Sequence, residues 1–100
     1  MVGRRPRKKD RKLLDSYHGL PCLICESEAT TVAHHIISKG AGGDDAEYNL
    51  VPLCIIHHGE IHRSLRLFAL KHEAFQEFLN QHGWEYEPFI GKWLNKSHLY

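Results

Sequence analysis

The sequence predicts a small α+β domain: a strand, a glycine-rich loop, a returning strand and a helix, followed by a helical extension. Three observations carry this. Thr30 to Ile37 is rich in β-branched residues, Gly40 to Gly43 breaks it, and Asn49 to Leu53 resumes an extended pattern. From Ile61 onward apolar residues recur at three- and four-residue steps, which is helical spacing. The third observation is chemical: all three cysteines and five of the nine histidines fall between Cys22 and His62.

One hundred residues make one domain whose core alone is marginal. The cysteines cannot all pair, and their spacing suits thiolate ligands in a reducing compartment better than disulfides. Cys22 and Cys25 form a C-x2-C pair, and Cys54 and His57 form a C-x2-H pair 29 positions further on. Each two-residue gap lets one tight turn aim both side chains at one ion, and two such turns close a four-ligand structural zinc site. Alone, C-x2-C also fits a redox dithiol, but the second half-site and the lack of a βαβ pattern favour zinc.

His34, His35, His58 and His62 remain. On a helix His58 and His62 are spaced i, i+4 and share a face, whereas His57 points about 100° away and can serve a different ion. At adjacent strand positions His34 and His35 face opposite sides, so the two divide into one ligand and one group free for other work.

Taken together, Ala33-His34-His35, Gly40 to Gly43, Asn49 to Cys54, and His57 to His62 (HHGEIH) resemble the HNH nucleases of the ββα-metal type, also called His-Me finger enzymes. The resemblance covers about forty residues and is nearest to the zinc-stapled HNH proteins of phage and bacteria. It implies a ββα-metal domain with flanking helices and a metal-dependent endonuclease that nicks or cuts DNA, leaving 5′-phosphate and 3′-hydroxyl ends. It further implies that His35 is the general base and that Asn49 holds the inter-strand loop. His34, His58 and His62 would bind the catalytic divalent metal: Mn, Ni, Zn or Mg, with three imidazoles favouring a transition ion. RNA stays open as a substrate. A zinc-stabilised DNA-binding module without activity, or an accessory subunit of a larger DNA-processing complex, is the alternative.

Elsewhere the reading is coarser. The net charge of +1 hides an asymmetry: residues 1–12 hold seven Lys or Arg and one Asp, the remainder six basic and eleven acidic residues. Residues 1–12 are therefore expected to be a disordered basic arm preceding a single domain over 13–100. Arg4, Arg5, Arg7, Lys8 and Lys9 are candidate phosphate contacts, with a solvated tail as the plainer reading. Arg63, beside His62, is a further candidate. Leu13 to Leu20 reads as a short helix ending near His18-Gly19, with Leu13, Leu14 and Tyr17 over the core.

Ile61, Leu65, Phe68, Phe75 and Leu79 form the helical core stripe after the motif, as one helix or two separated near Leu67 to Lys71. Beyond Trp84, Pro88 suits a first helical turn, and Phe89, Ile90, Trp93 and Leu94 would share one apolar face for packing or dimer contact. His18, His72, His82 and His98 lack ligand spacing and read as surface or capping groups. No apolar run is long enough to span a bilayer and no signal-peptide pattern follows the basic start, so a cytoplasmic location is expected.

Overall fold

The computed structural model describes residues 6–98. It is a small α+β fold with two separate two-stranded antiparallel sheets. The elements in order are α1 (Arg11–Ser16), β1 (Val32–His35), β2 (Leu50–Leu53), α2 (Ile55–Arg63), α3 (Leu65–Lys71), α4 (Glu73–Gln81), β3 (Trp84–Glu87) and β4 (Lys92–Asn95).

Strands β1 and β2 pair with Val32 opposite Leu53 and His35 opposite Leu50. Pro52 cannot donate, but its carbonyl accepts from the Leu23 N–H at 2.9 Å, which ties the Cys22–Cys25 turn to this strand. Helix α2 starts directly after β2, so the strand–loop–strand–helix order expected over the motif is present.

Three helices follow the hairpin rather than one or two. The apolar stripe runs on, but the chain leaves helical dihedrals at Ser64 (φ −168°, ψ 112°) and again at His72 (φ −114°, ψ 103°). At the first break Ser64 caps α3 by accepting from the Leu67 N–H. The stripe still does its expected work: Ile61, Phe68, Phe75 and Leu79 are buried with Val51, Leu53, Cys22, Cys54 and Trp84 in one core. Leu65 packs against that core from its edge.

Two expectations are corrected. The C-terminal segment is a β-hairpin, not a helix, with Trp84 opposite Asn95 and Tyr86 opposite Trp93. Pro88 lies in the connecting loop, which Gly91 closes at φ 64°. The aromatic side chains share one face of this ribbon: Trp84 is buried and donates to the Tyr48 carbonyl at 2.7 Å, and Tyr86, two positions on, packs edge-on against the opposing Trp93. Phe89 and Ile90, expected on a helical face, stand exposed at the hairpin tip.

The second correction concerns the basic arm. Arg4 and Arg5 lie outside the described residues, but residues 7–12 are ordered against the domain. Arg7 Nη1 pairs with Asp45 at 2.9 Å, the Lys8 and Asp10 N–H groups donate to Asp44 and Asp45, and Asp45 N–H donates back to the Lys8 carbonyl. Asp10 then caps α1, accepting from Leu13 N–H at 3.0 Å. Helix α1 ends at Ser16, earlier than expected, and Gly19 completes the following turn at φ 82°. Two acidic residues 35 to 38 positions away thus hold, and at Arg7 neutralise, part of a run that composition alone reads as solvated.

Candidate functional site

The first side-chain cluster is built from two turns. Cys22 and Cys25 lie on a tight turn in which Glu26 N–H returns to the Cys22 carbonyl at 2.9 Å. Cys54 is the residue before α2 and His57 sits in its first turn, so both point to the same side. Cys25 and Cys54 sulfurs are 3.7 Å apart, and His57 Nδ1 lies 3.6 Å from Cys22 Sγ and 3.2 Å from Cys54 Sγ.

These spacings fit one shared ion. Metal–sulfur bonds of about 2.3 Å and metal–nitrogen bonds of about 2.0 Å in a tetrahedron place sulfurs about 3.8 Å apart and sulfur about 3.5 Å from nitrogen. Burial pushes the Cys22 thiol up, yet the backbone N–H groups of Cys25, Cys54 and Ile24 outweigh it and bring it down to about 6. The turn therefore already favours a thiolate, the form that binds metal. The four residues lie close together and are placed to bind a metal ion.

The second cluster joins the hairpin to the helix. His34, buried on β1, meets His58 and His62 from α2 with ring centroids 5.0 and 4.9 Å away. His58 and His62 turn their Nε2 atoms toward each other at 3.2 Å, close to the nitrogen spacing of two ligands on one ion. Burial first, then the neighbouring imidazoles, drive His34 down to about 3, and burial also lowers His58. The His34 ring is thus neutral at physiological pH, with a lone pair free to coordinate.

His35 occupies the next strand position and does not join that cluster. Its Nε2 lies 2.7 Å from Asp45 Oδ1. It opens into a groove of about 230 Å³ between α1 and β1, which Arg11, Asp15, His18 and Lys39 also line. Asn49 is fully buried and pins the intervening loop at both ends. Its Oδ1 accepts from Ile37 N–H at 2.7 Å, and its Nδ2 donates to the carbonyls of Ile37 at 3.0 Å and Asp44 at 2.9 Å. The loop closes tightly because Gly43 has no side chain: a Cβ there would lie 1.7 Å from the Ile37 carbonyl oxygen.

No family model, curated protein or solved structure matches this chain. What the site can do therefore rests on its own geometry.

Every proposed ligand residue, whether from spacing or from the family resemblance, falls into one of two clusters: Cys22, Cys25, Cys54 and His57 in one, His34, His58 and His62 in the other. Of the basic candidates, Arg7 is engaged by Asp45, Lys8 and Lys9 have exposed side chains, and Arg63 is exposed in the last turn of α2. Three contributions were missed. Arg11 and Lys39 flank His35 in the groove, and no spacing rule relates them to it. Asp45 could have been suspected, because two acidic residues directly after a glycine-rich loop beside a histidine pair are an available partner for one of those histidines.

A third grouping, His57, Glu60 and His72, shares His57 with the cysteines. Its carboxylate is already taken by Lys71 at 2.9 Å and His72 at 2.8 Å, which together hold Glu60 down at about 2. This is a brace between α2 and the α3–α4 corner rather than an open site.

Proposed function

We propose that this chain is a metal-dependent endonuclease of the HNH, ββα-metal type, hydrolysing phosphodiester bonds in DNA. One observation carries the reading. Three imidazoles converge from strand and helix, while a fourth, His35, sits one residue along in a groove that Arg11 and Lys39 line together with Asp15, which pairs with Arg11 at 3.4 Å. A purely structural metal site needs four closed ligands, whereas three leave room for a substrate oxygen. The cysteine set suits zinc and props up a core too small to stand securely alone.

His34, His58 and His62 would hold a divalent ion, which would supply Lewis acidity for charge on the phosphate and the departing 3′ oxygen. The chain's own residues do the rest. His35 accepts the proton of the attacking water as the general base. Arg11 and Lys39 hold the sugar–phosphate backbone along the groove by charge, which gives salt-dependent binding with little sequence preference. Asn49 keeps the loop that follows His35 in place through its three hydrogen bonds.

The test is supercoiled plasmid incubated with purified protein and Mn, Ni, Mg or Zn ions. Wild type is expected to nick or linearise it, and His35→Ala to lose about 10²- to 10⁴-fold in rate while keeping its fold. Equal cleavage by His35→Ala contradicts the base assignment. Absence of cleavage by wild type with every ion contradicts the nuclease reading and points to a DNA-binding module.

A further inference from the structure

The Asp45 carboxylate meets three partners beside the groove. Oδ1 lies 2.7 Å from His35 Nε2 and 2.9 Å from Arg7 Nη1, and Oδ2 accepts the Asp10 N–H at 2.9 Å. Its side chain is 3% exposed, so water does not compete for these contacts. If Asp45 served only to anchor the N-terminal segment, the Arg7 and Asp10 contacts would suffice; the imidazole is an additional partner.

A carboxylate only accepts, so the neutral imidazole facing it carries its proton on Nε2. The lone pair is then on Nδ1, the other edge of the ring. We propose that Asp45 is a positioning residue for His35, fixing the tautomer in which Nδ1 is the proton acceptor, and that Arg7 holds Asp45 in place for this task. The segment from Arg7 to Asp10 thereby becomes a working part of the site. The role assigned to Nδ1 rests on the nuclease reading above; the tautomer itself does not.

The geometry also says why an amide cannot substitute. In Asp45→Asn, an NH2 group at the Oδ1 position would face the Arg7 Nη1 donor and donate to His35, forcing the proton onto Nδ1. Placed at the Oδ2 position it would face the Asp10 N–H. Either orientation breaks a contact that the carboxylate satisfies.

The experiment uses the full chain loaded with zinc, comparing wild type, Asp45→Asn, Asp45→Glu and Arg7→Gln. On a duplex oligonucleotide with manganese, Asp45→Asn is expected to lose about 10²- to 10⁴-fold in kcat with KM within about threefold. Asp45→Glu should recover part of this, and Arg7→Gln, which leaves the carboxylate in place, should lose less. In parallel, 15N correlation spectra of histidine-labelled protein without manganese should show His35 protonated on Nε2 in wild type, and shifted toward Nδ1 in Asp45→Asn to the extent that its NH2 group takes the Oδ1 position.

His35 protonated mainly on Nδ1 in wild type overturns the proposal, as does a kcat within threefold of wild type in a folded Asp45→Asn protein. A loss in kcat that merely tracks loss of zinc or of folded protein also overturns it. Should Asp45→Asn not fold, Arg7→Gln and Asp45→Glu decide, and wild-type kcat and tautomer populations in both would overturn it. If wild type itself does not cleave, the nuclease reading fails, and the spectra still decide whether Asp45 sets the His35 tautomer.

Discussion

Replacing Asn49 tests how the site is supported. The side chain is completely buried and makes three hydrogen bonds to backbone groups of Ile37 and Asp44. In Asn49→Ala one N–H and two carbonyls lose their partner, in a place where the core and the tight Gly43 turn leave little room for water. Each such loss costs about 1–3 kcal/mol, and partial relaxation brings the total to roughly 3–5 kcal/mol, comparable to the whole stability of a domain this size. Urea unfolding at saturating zinc, followed by fluorescence of Trp84, whose indole bonds the neighbouring Tyr48 carbonyl, reads this directly. With a slope of about 1–1.5 kcal/mol per molar, the midpoint should fall by about 2–5 M. Asn49→Asp is the sharper control: it keeps the acceptor for Ile37 N–H but turns the donor into an oxygen facing two carbonyls, so it should also be severely destabilised. A loss below about 1 kcal/mol in both variants would refute the claim that Asn49 pins the loop.

Three further outcomes are expected. Cys54→Ser should lose zinc and unfold by circular dichroism, because ion binding and folding are coupled at a site joining the first turn to α2. Gly43→Ala should cost at least about 2 kcal/mol in urea unfolding, since its Cβ would meet the Ile37 carbonyl and force apart the loop that carries Asp45. His34 stays neutral in the folded protein down to about 3, while the unfolded chain protonates near 6.5. Its contribution is therefore fully present above that upper value and is lost as pH falls toward the lower one, by about 1.4 kcal/mol per pH unit. With zinc at the cysteines only, His34→Asn should remove about one proton from the pH slope of stability, and an unchanged slope would contradict the burial argument.

Much of the site was legible because ligand chemistry is written in spacing. A two-residue gap and an i, i+4 pair constrain geometry locally, so Cys22, Cys25, Cys54 and His57 separated from His58 and His62 before any fold was known. The core stripe from Ile61 to Leu79 was legible for the same reason, although the breaks at Ser64 and His72 were not, since neither residue forbids a helix. The C-terminal hairpin was misread because Pro88 is equally at home opening a helix and turning a loop. The two-residue step from Trp84 to Tyr86, across from Trp93, was the competing signal. The docking of residues 7–10 was illegible in principle: it depends on Asp44 and Asp45, and composition cannot say that an acidic pair so distant folds back onto a basic run.

The central claim is that two ion positions with different ligands share this small fold. Anomalous diffraction from crystals grown with zinc and soaked in manganese tests it most directly. A zinc peak among Cys22, Cys25, Cys54 and His57 and a separate manganese peak among His34, His58 and His62 is the result predicted. A single peak at the cysteines, with the three imidazoles bare at saturating manganese, would contradict it.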